Sequence, residues 1–553
     1  MIQILVALVT VILVAAPLVP ILWQSFVDRP LYEEGGVLTL VNYVRLFSDG
    51  GFGEVIWNSI LLAAGTTVIA LVLGVGFALF LERTNVPHQR LLRSFVLWPM
   101  YISYLVIAFS WQIMYGPSGY VSLWLQNWLG FVPWDLYTIP GMAVVAGTGF
   151  APFIYLFCAS SAKLADATLE DAGRMAGAGS IRVLWSISIP LMRPAIIYSG
   201  LLTFIGALEM LAVPLVFGRP VGLEFFTTFL YSRGLGAITP DYGMIGAAAA
   251  LLLAIISVLL VIQGLLLRKA GRFVTVGGKA HRPKLIDIGR LRWPVFVAFV
   301  AYNVIVLVLP IAGISLRSVT SFLTPLISPM ELLTLENFRM LFSYPAYIRS
   351  ITNSVVIAVI GGAVATAFVA LVAIIVHRSS FRWRRQLEYV ALYPRAVPGI
   401  VAGIGLFWAM LVMPGAYLLH GTIWILMLAF TMRSIPTAFG AISPALLQIG
   451  KELDQGARSV GASWWTTSRL VVLPILKPAI FGAYVLLFLS FFKEYASAVF
   501  LFSPGSEIIG TTMLSFWANG DSGPVAALSV IQIVITAIFV SVASIFLRSH
   551  RDV

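Results

Sequence analysis

The chain has 553 residues, 60% of them hydrophobic and only 10% charged, where a soluble globular domain carries about a quarter charged. Its 35 basic and 23 acidic residues cannot cover a soluble protein of this size, so the apolar excess must face lipid. One cysteine, Cys158, and five scattered histidines argue against a disulfide scaffold, a zinc protein or a haem protein, and leave a net charge of +12 to be explained.

A spanning helix needs about 20 predominantly apolar residues. The first charge is Asp28, so the residues before it predict a first span; they lack the basic leading region and small-residue cleavage site of a signal peptide. Residues 55–81 predict the second. Residues 94–134 are too long for one helix and are broken by the turn sequence Tyr115-Gly116-Pro117-Ser118-Gly119-Tyr120. They predict a third span and an interfacial belt of Trp111, Tyr115, Trp124, Trp128 and Trp134. Residues 136–162, 194–218 and 242–267 follow as the fourth to sixth, the fifth carrying Glu209 inside. Residues 293–316 and 350–376 are the seventh and eighth. Residues 389–432, which contain Arg395, break at Pro414-Gly415 into the ninth and tenth. Residues 478–502, with Lys493-Glu494 inside, and 522–547 complete twelve. Runs of this length satisfy their backbone in lipid as helices, which makes the fold class an all-α membrane protein.

With both termini cytoplasmic, the cytoplasmic segments (82–94, 163–193, 268–292, 377–386, 433–477 and 548–551) hold 26 of the 35 Lys and Arg residues. The opposite segments hold seven, and Arg395 and Lys493 lie within spans. The basic excess is therefore an orientation signal with membrane lipid headgroups as neighbours, and it calls for no nucleic acid.

The chain also repeats itself. Leu38-Thr39-Leu40-Val41-Asn42-Tyr43 returns as Leu333-Thr334-Leu335-Glu336-Asn337-Phe338, Asn58-Ser59 as Asn353-Ser354, and Trp98-Pro99 as Tyr393-Pro394, all at an offset of 295. Farther on the offset becomes 284, for Pro152 and Pro436, Arg174 and Arg458, Gly177 and Gly461, and Pro190 and Pro474. This predicts two parallel six-helix repeats, residues 1–267 and 293–553, joined by a basic cytoplasmic linker, 268–292.

Between the fourth and fifth spans of each half lies a long basic-side loop. The first reads Asp171-Ala172-Gly173, three residues, Gly177, nine residues, then Ile187-Ser188-Ile189-Pro190. The second reads Gln455-Gly456-Ala457, three residues, Gly461, nine residues, then Val471-Val472-Leu473-Pro474. A short helix over 168–176 and again over 452–460 offers small residues to a partner, Gly177 and Gly461 turn the chain back, and Arg174 and Arg458 are placed to meet acids. The alternative is an ordinary amphipathic surface helix, which membrane topology alone would not oblige to repeat its spacing.

Both loops resemble the EAA loop of ABC importer permeases: Glu-Ala-Ala, three residues, Gly, nine residues, Ile-x-Leu-Pro. The acidic first position is Asp171 in one half and Gln455 in the other, and one Ala of each pair is Gly. The resemblance implies a type I ABC importer permease fold, a bacterial inner-membrane location, and docking of each loop, through to Pro190 and Pro474, on a cytoplasmic ATPase subunit present in two copies. It also implies a periplasmic or lipid-anchored substrate-binding protein at the outer face, which the aromatic belt would help receive. ATP and Mg belong to the partner ATPase; this chain binds no cofactor, holds no metal and has no catalytic residue. Its nearest approach to a phosphate loop, Gly278-Lys279-Ala280, lacks the upstream Gly and the Ser or Thr.

Residues 209–218, 492–501, 504–507, 515–517 and 526–530 look like those of the ferric-iron type of permease, which implies iron as cargo. Similar permeases serve thiamine, polyamines, phosphonates and sugar phosphates, and a gradient-driven secondary transporter is the competing class. Charges inside spans are rarely kept without a partner or a role. Glu209, Glu494, Lys493 and Arg395 are therefore the candidate pathway residues. Two readings are open: the glutamates form a cation-attracting ring or gate, or Lys493 or Arg395 neutralises Glu494 as a structural pair. Arg395 facing the pathway would instead favour an anionic cargo.

Overall fold

The apolar runs fold as helices in the computed structural model, which describes residues 2–164, 167–268 and 285–549. In chain order the spans are α1 (Ile2–Ser25), α2 (Phe52–Arg83), α3 (Tyr104–Leu129), α4 (Ile139–Leu164), α5 (Arg193–Leu208) and α6 (Tyr242–Arg268). Then come α7 (Gly289–Ser318), α8 (Pro345–Arg378), α9 (Gly399–Val412), α10 (Ile423–Gln448), α11 (Trp464–Lys493) and α12 (Ser522–Ser549). Nine of these are by themselves long and apolar enough to cross a membrane. The others, α3, α5 and α9, each follow a lead-in helix bent away by 104°, 68° and 111°; counted as one crossing each, they bring the described residues to twelve spans. Strand pairing among the described residues is confined to isolated bridges.

The two halves exchange their first helices. α1 packs on α6 of its own half and on α9 of the other, while α7 packs on α12 and on α3. The contact is close: a Cβ on Gly405 of α9 would lie 2.1 Å from the Pro17 carbonyl oxygen of α1, so glycine is required there. Within the first half α2 lies along α4 with Gly74 set against Ile154, where a Cβ would come within 2.6 Å.

Repeated residues make repeated contacts. Asn42 Nδ2 donates to the Gln24, Ser25 and Val27 carbonyls at the end of α1, and Asn337 Nδ2 donates to those of Arg317, Ser318 and Thr320 at the end of α7. These are the orphan carbonyls of helix C-termini, each set satisfied by one side chain. Ser59 Oγ accepts from Phe226 N–H, and Ser354 Oγ from Ile509 N–H, both at 2.9 Å; each fixes the start of a short helix between the last two spans of its half.

The aromatic segment departs from expectation. Trp124 and Trp128 are exposed, but Trp111 and Tyr115 are buried, because Tyr115 Oη donates to the Ile305 carbonyl of α7 at 2.7 Å and Trp134 Nε1 to the Tyr115 carbonyl at 2.9 Å. Those rings pack the exchanged helix instead of joining a belt.

The loop Pro504-Gly505-Ser506-Glu507 is held by a fork: Arg349 Nε and Nη2 donate to Glu507 Oε2 and Oε1 at 2.9 and 3.0 Å. Arg349, with help from Gly505 N–H, holds the Glu507 carboxyl below the usual carboxylate range. A depressed folded pKa contributes stability above the unfolded pKa, and that contribution is lost as pH falls through the folded value. Glu507→Gln should therefore melt earlier than wild type in detergent at neutral pH, with the gap closing below about pH 4; a gap that ignores pH would contradict the ion pair.

Candidate functional site

Both EAA-like loops are built alike. The first carries a short helix, Ala167–Met175, and the second Lys451–Ser459. Each ends on a left-handed glycine, Gly177 at φ +86° and Gly461 at φ +83°. Gly177 and Ala178 N–H donate to the Arg174 and Gly173 carbonyls, and Gly461 and Ala462 N–H to those of Arg458 and Ala457. This doubled bond pattern terminates a helix by turning the chain back. Asp171, Ala172, Gln455, Gly456 and Arg458 are exposed, Gly173, Arg174 and Ala457 half-buried, and Met175 and Val460 stand out at 86% and 83% exposure. Pro190 and Pro474 each follow a π-helical turn, Leu184–Ser188 and Ser468–Val472. The wider turn gives the proline ring room against the preceding carbonyls.

No Cβ at Gly177 or Gly461 would meet an atom within 4 Å, so substitution there costs backbone conformation alone, about 1–2 kcal/mol for the left-handed region. On the ATPase-docking role that the EAA resemblance implies, alanine at either position should weaken the link between ATP hydrolysis and uptake modestly. Valine at both, adding β-branching, should remove most of it while leaving membrane-inserted protein abundant. Undiminished ATP-driven uptake by the double valine variant would sink the coupling assignment.

What holds these helices in place escaped the sequence reading. Glu170, 2% exposed, forms an ion pair with Arg83 at the end of α2 and accepts from Ser188 Oγ at 2.7 Å. Asp454 pairs with Arg378 at the end of α8 at 2.8 Å. Arg83 Nη1 also donates to the Ala162 carbonyl, and Arg378 Nη2 to the Leu446 carbonyl, capping the last turns of α4 and α10. The offsets of 295 and 284 relate the arginines, the acids and the capped carbonyls of the two sets, with Ser188 replaced by Val472, so the repeat itself carried the signal.

Inside the helix bundle the candidate charges converge through a residue assigned to a basic-side loop. The tenth span does not stop at Met432; α10 continues to Gln448 and carries Arg433 inside. Arg433 Nη1 donates to Glu494 Oε2 at 2.6 Å and Nη2 to Glu209 Oε2 at 3.4 Å. A guanidinium is tolerated in a span when two carboxylates share it. Arg433 thus takes the neutralising role expected of Lys493 or Arg395, and the basic side holds 25 Lys and Arg residues instead of 26. Its counterpart at offset 284 is Gly149 in the middle of α4, which again placed it within a span.

The two glutamates stand where helices break. α5 ends at Leu208 and α11 at Lys493, and the chain unwinds at the next residue in each. Irregular backbone at membrane depth persists only where protein or a cavity surrounds it. Thr227 Oγ1 donates to the freed Met210 carbonyl and Gln532 Nε2 to that of Phe492. Glu494 Oε1 also accepts from the Ser497 N–H and hydroxyl, whereas Glu209 has Arg433 as its ion-pair partner.

Beside this triad a cavity of 320 Å³ opens between Glu209, Arg395, Lys493, Met100, Tyr104 and Gly149. Lys493 Nζ donates to the Met100 carbonyl, and Arg395, at the bend before α9, is exposed and donates to Tyr198 Oη at 3.1 Å. All four sequence-selected charges therefore meet at one place, and the fifth, Arg433, joins the halves. The described residues contain no group of three or more His, Cys, Asp and Glu placed to hold a metal ion.

The family model described as "Binding-protein-dependent transport system inner membrane component" matches this chain twice, over residues 70–272 and 362–552. The chain is 27% identical over 519 residues to the ferric transport system permease protein FbpB of Actinobacillus pleuropneumoniae, covering 91% of this chain and 73% of that protein. It is 24% identical over 516 residues to the Fe(3+)-transport system permease protein FbpB 2 of Haemophilus influenzae, covering 88% of each. Among solved structures, a bacterial ABC transporter involved in the import of the acidic polysaccharide alginate aligns with a TM-score of 0.38 at 17% identity, over 47% of this chain and 95% of that one.

Proposed function

The chain belongs to the family of binding-protein-dependent transport system inner membrane components, and on that premise we propose that it is the fused permease of an ATP-driven importer of ferric iron. Two halves, 1–267 and 293–553, linked through 268–292, enclose the pathway. Gly278-Lys279-Ala280 lies outside the described residues. Both termini and both EAA-like loops face the cytoplasm, each loop seats one copy of a separate ATPase subunit, and ATP with Mg is bound there. The basic flank rests on anionic lipid headgroups. A hollow of 600 Å³ at the opposite face, lined by Phe109, Tyr137, Arg317 and Trp517 from both halves, receives cargo from the binding protein.

The observation that carries the reading of the pathway is the cross-half ion pair from Arg433 to Glu209. Rearrangement of the halves separates it, while the Arg433–Glu494 pair, within one half, stays closed at 2.6 Å. Glu209 is then a free carboxylate on the cavity wall, a hard oxygen ligand suited to ferric iron in passage. The named activities of the two FbpB relatives support iron as the cargo.

Arg395 and Lys493 on the same wall favour a second reading, an anionic solute such as a phosphonate or sugar phosphate, which a guanidinium and an ammonium would hold. Proteoliposomes containing the permease, its ATPase and its binding protein decide. ATP-dependent accumulation of iron from the ferric-loaded binding protein is expected. Accumulation of a phosphorylated solute without iron would replace the first reading with the second, and uptake with no ATPase subunit would favour a secondary transporter.

A further inference from the structure

The two EAA-like loops are anchored alike but finished differently. In the second half the Arg378 carbonyl, at the end of α8, accepts from the Trp464 indole N–H at 3.0 Å. Trp464 stands just past Gly461, on the return arm of its own loop. Its counterpart in the first half at offset 284 is Ser180, which has no side chain long enough to reach back. There the Arg83 carbonyl accepts from Ile286 N–H at 2.7 Å, a group from the segment leading into α7.

That segment is clamped on three sides. Asn85 N–H donates to the Ile286 carbonyl, forming a parallel bridge with the end of α2. Asn85 Nδ2 donates to Asp287 Oδ1 at 2.7 Å, and Ile288 N–H donates to Asn85 Oδ1 at 3.2 Å. Ser180 Oγ, on the loop, donates to the Asp287 carbonyl at 2.8 Å. Ile286 is fully buried and Ile288 nearly so, in one apolar cluster with Val86, Leu92, Val183 and Leu184. Gly289 N–H and Asn85 hold the Asp287 carboxyl below the usual carboxylate range, so it is charged at neutral pH.

We propose that residues 285–289 are a working part of the first coupling loop, clamping it to α2 and passing its displacement directly into α7, the exchanged helix of the second half. The inference rests on the ATPase-coupled reading above. Asn85, Ser180 and Asp287 are positioning residues: they touch neither cargo nor nucleotide and act by making loop and α7 move together. Among the described residues the second loop, closed by its own Trp464, has no such tie, so the two ATPase subunits are mechanically inequivalent.

The test uses the whole chain reconstituted with its ATPase and binding protein, in a Cys158→Ser background that removes the single cysteine. Iron accumulated per ATP hydrolysed is compared with total ATPase activity. Asp287→Ala should lower that ratio about fivefold or more while ATPase activity persists. Asp287→Asn, which keeps the acceptor oxygen, should restore it. Asn85→Cys with Asp287→Cys, replacing side chains that meet at 2.7 Å, gives a covalent clamp to the end of α2 under redox control: reduced, the pair should be uncoupled like Asp287→Ala; oxidised, it should couple like wild type. Normal coupling in both Asp287→Ala and the reduced pair would overturn the proposal. So would an oxidised pair that is inactive, since the segment would then have to leave the end of α2 during the cycle. A wild-type complex whose ATPase ignores the loaded binding protein would count against the ATPase reading itself, a separate failure.

Discussion

Arg433→Met should abolish uptake and cost about 3 kcal/mol of stability, because it strands two carboxylates inside the bundle. Glu494 and Glu209 are only 17% and 27% exposed and, among the described residues, form no ion pair with a second cation. A penalty of that size in one conformational state is more than about a hundredfold in its population. The single neutralisations should rank by geometry. Glu494→Gln removes the 2.6 Å partner and weakens the contacts to Ser497; Glu209→Gln removes only the 3.4 Å one. Melting temperatures in detergent should therefore fall in the order Arg433→Met, Glu494→Gln, Glu209→Gln. The triple variant separates structure from gating. Removing all three charges leaves no charge unpaired, so stability should return to near wild type. Uptake should stay lost, since no carboxylate is released toward the cavity. A triple variant that transports normally would reduce the triad to a structural pin.

Glu170→Ala should uncouple the transporter more severely than Asp454→Ala, although the two acids are repeat equivalents. The Arg83–Glu170 pair is 1% and 2% exposed, and breaking such a pair costs about 3–5 kcal/mol through the charge left behind. Arg378 and Asp454 are 6% and 15% exposed, and Arg378 retains the Leu446 and Ile449 carbonyls when the acid is lost, so about 1–3 kcal/mol is expected there. The readout is stimulation of ATPase activity by loaded binding protein in nanodiscs, with melting temperature alongside. Equal effects from the two substitutions, or none, would show that the loop helices are held by something other than these pairs.

The sites differ in how far they could be read from sequence. The EAA-like loops were legible because their chemistry is local: a helix carrying small residues, a glycine at a left-handed turn and a proline thirteen residues on are set by neighbours in the chain. Arg433 was misplaced because a charge was taken as the end of a span, a rule that holds only for an unpaired charge. Its partners lie 61 and 224 residues away. Trp111 and Tyr115 were misplaced for a similar reason: an aromatic near an interface reads as a belt residue unless another helix covers it, and the covering helix, α7, arrives from the other half.

Composition, run length and internal repetition determined by themselves that this is an all-helical membrane protein of two parallel halves with paired loops on one face, since lipid permits few backbone solutions and a repeat copies its contacts. Tertiary structure alone decided the exchange of α1 and α7, the sharing of Arg433 between Glu209 and Glu494, and the docking of residues 285–289 on the first loop. Each joins groups distant in sequence, and the energy of a buried charge or an unpaired carbonyl is set by what surrounds it in space.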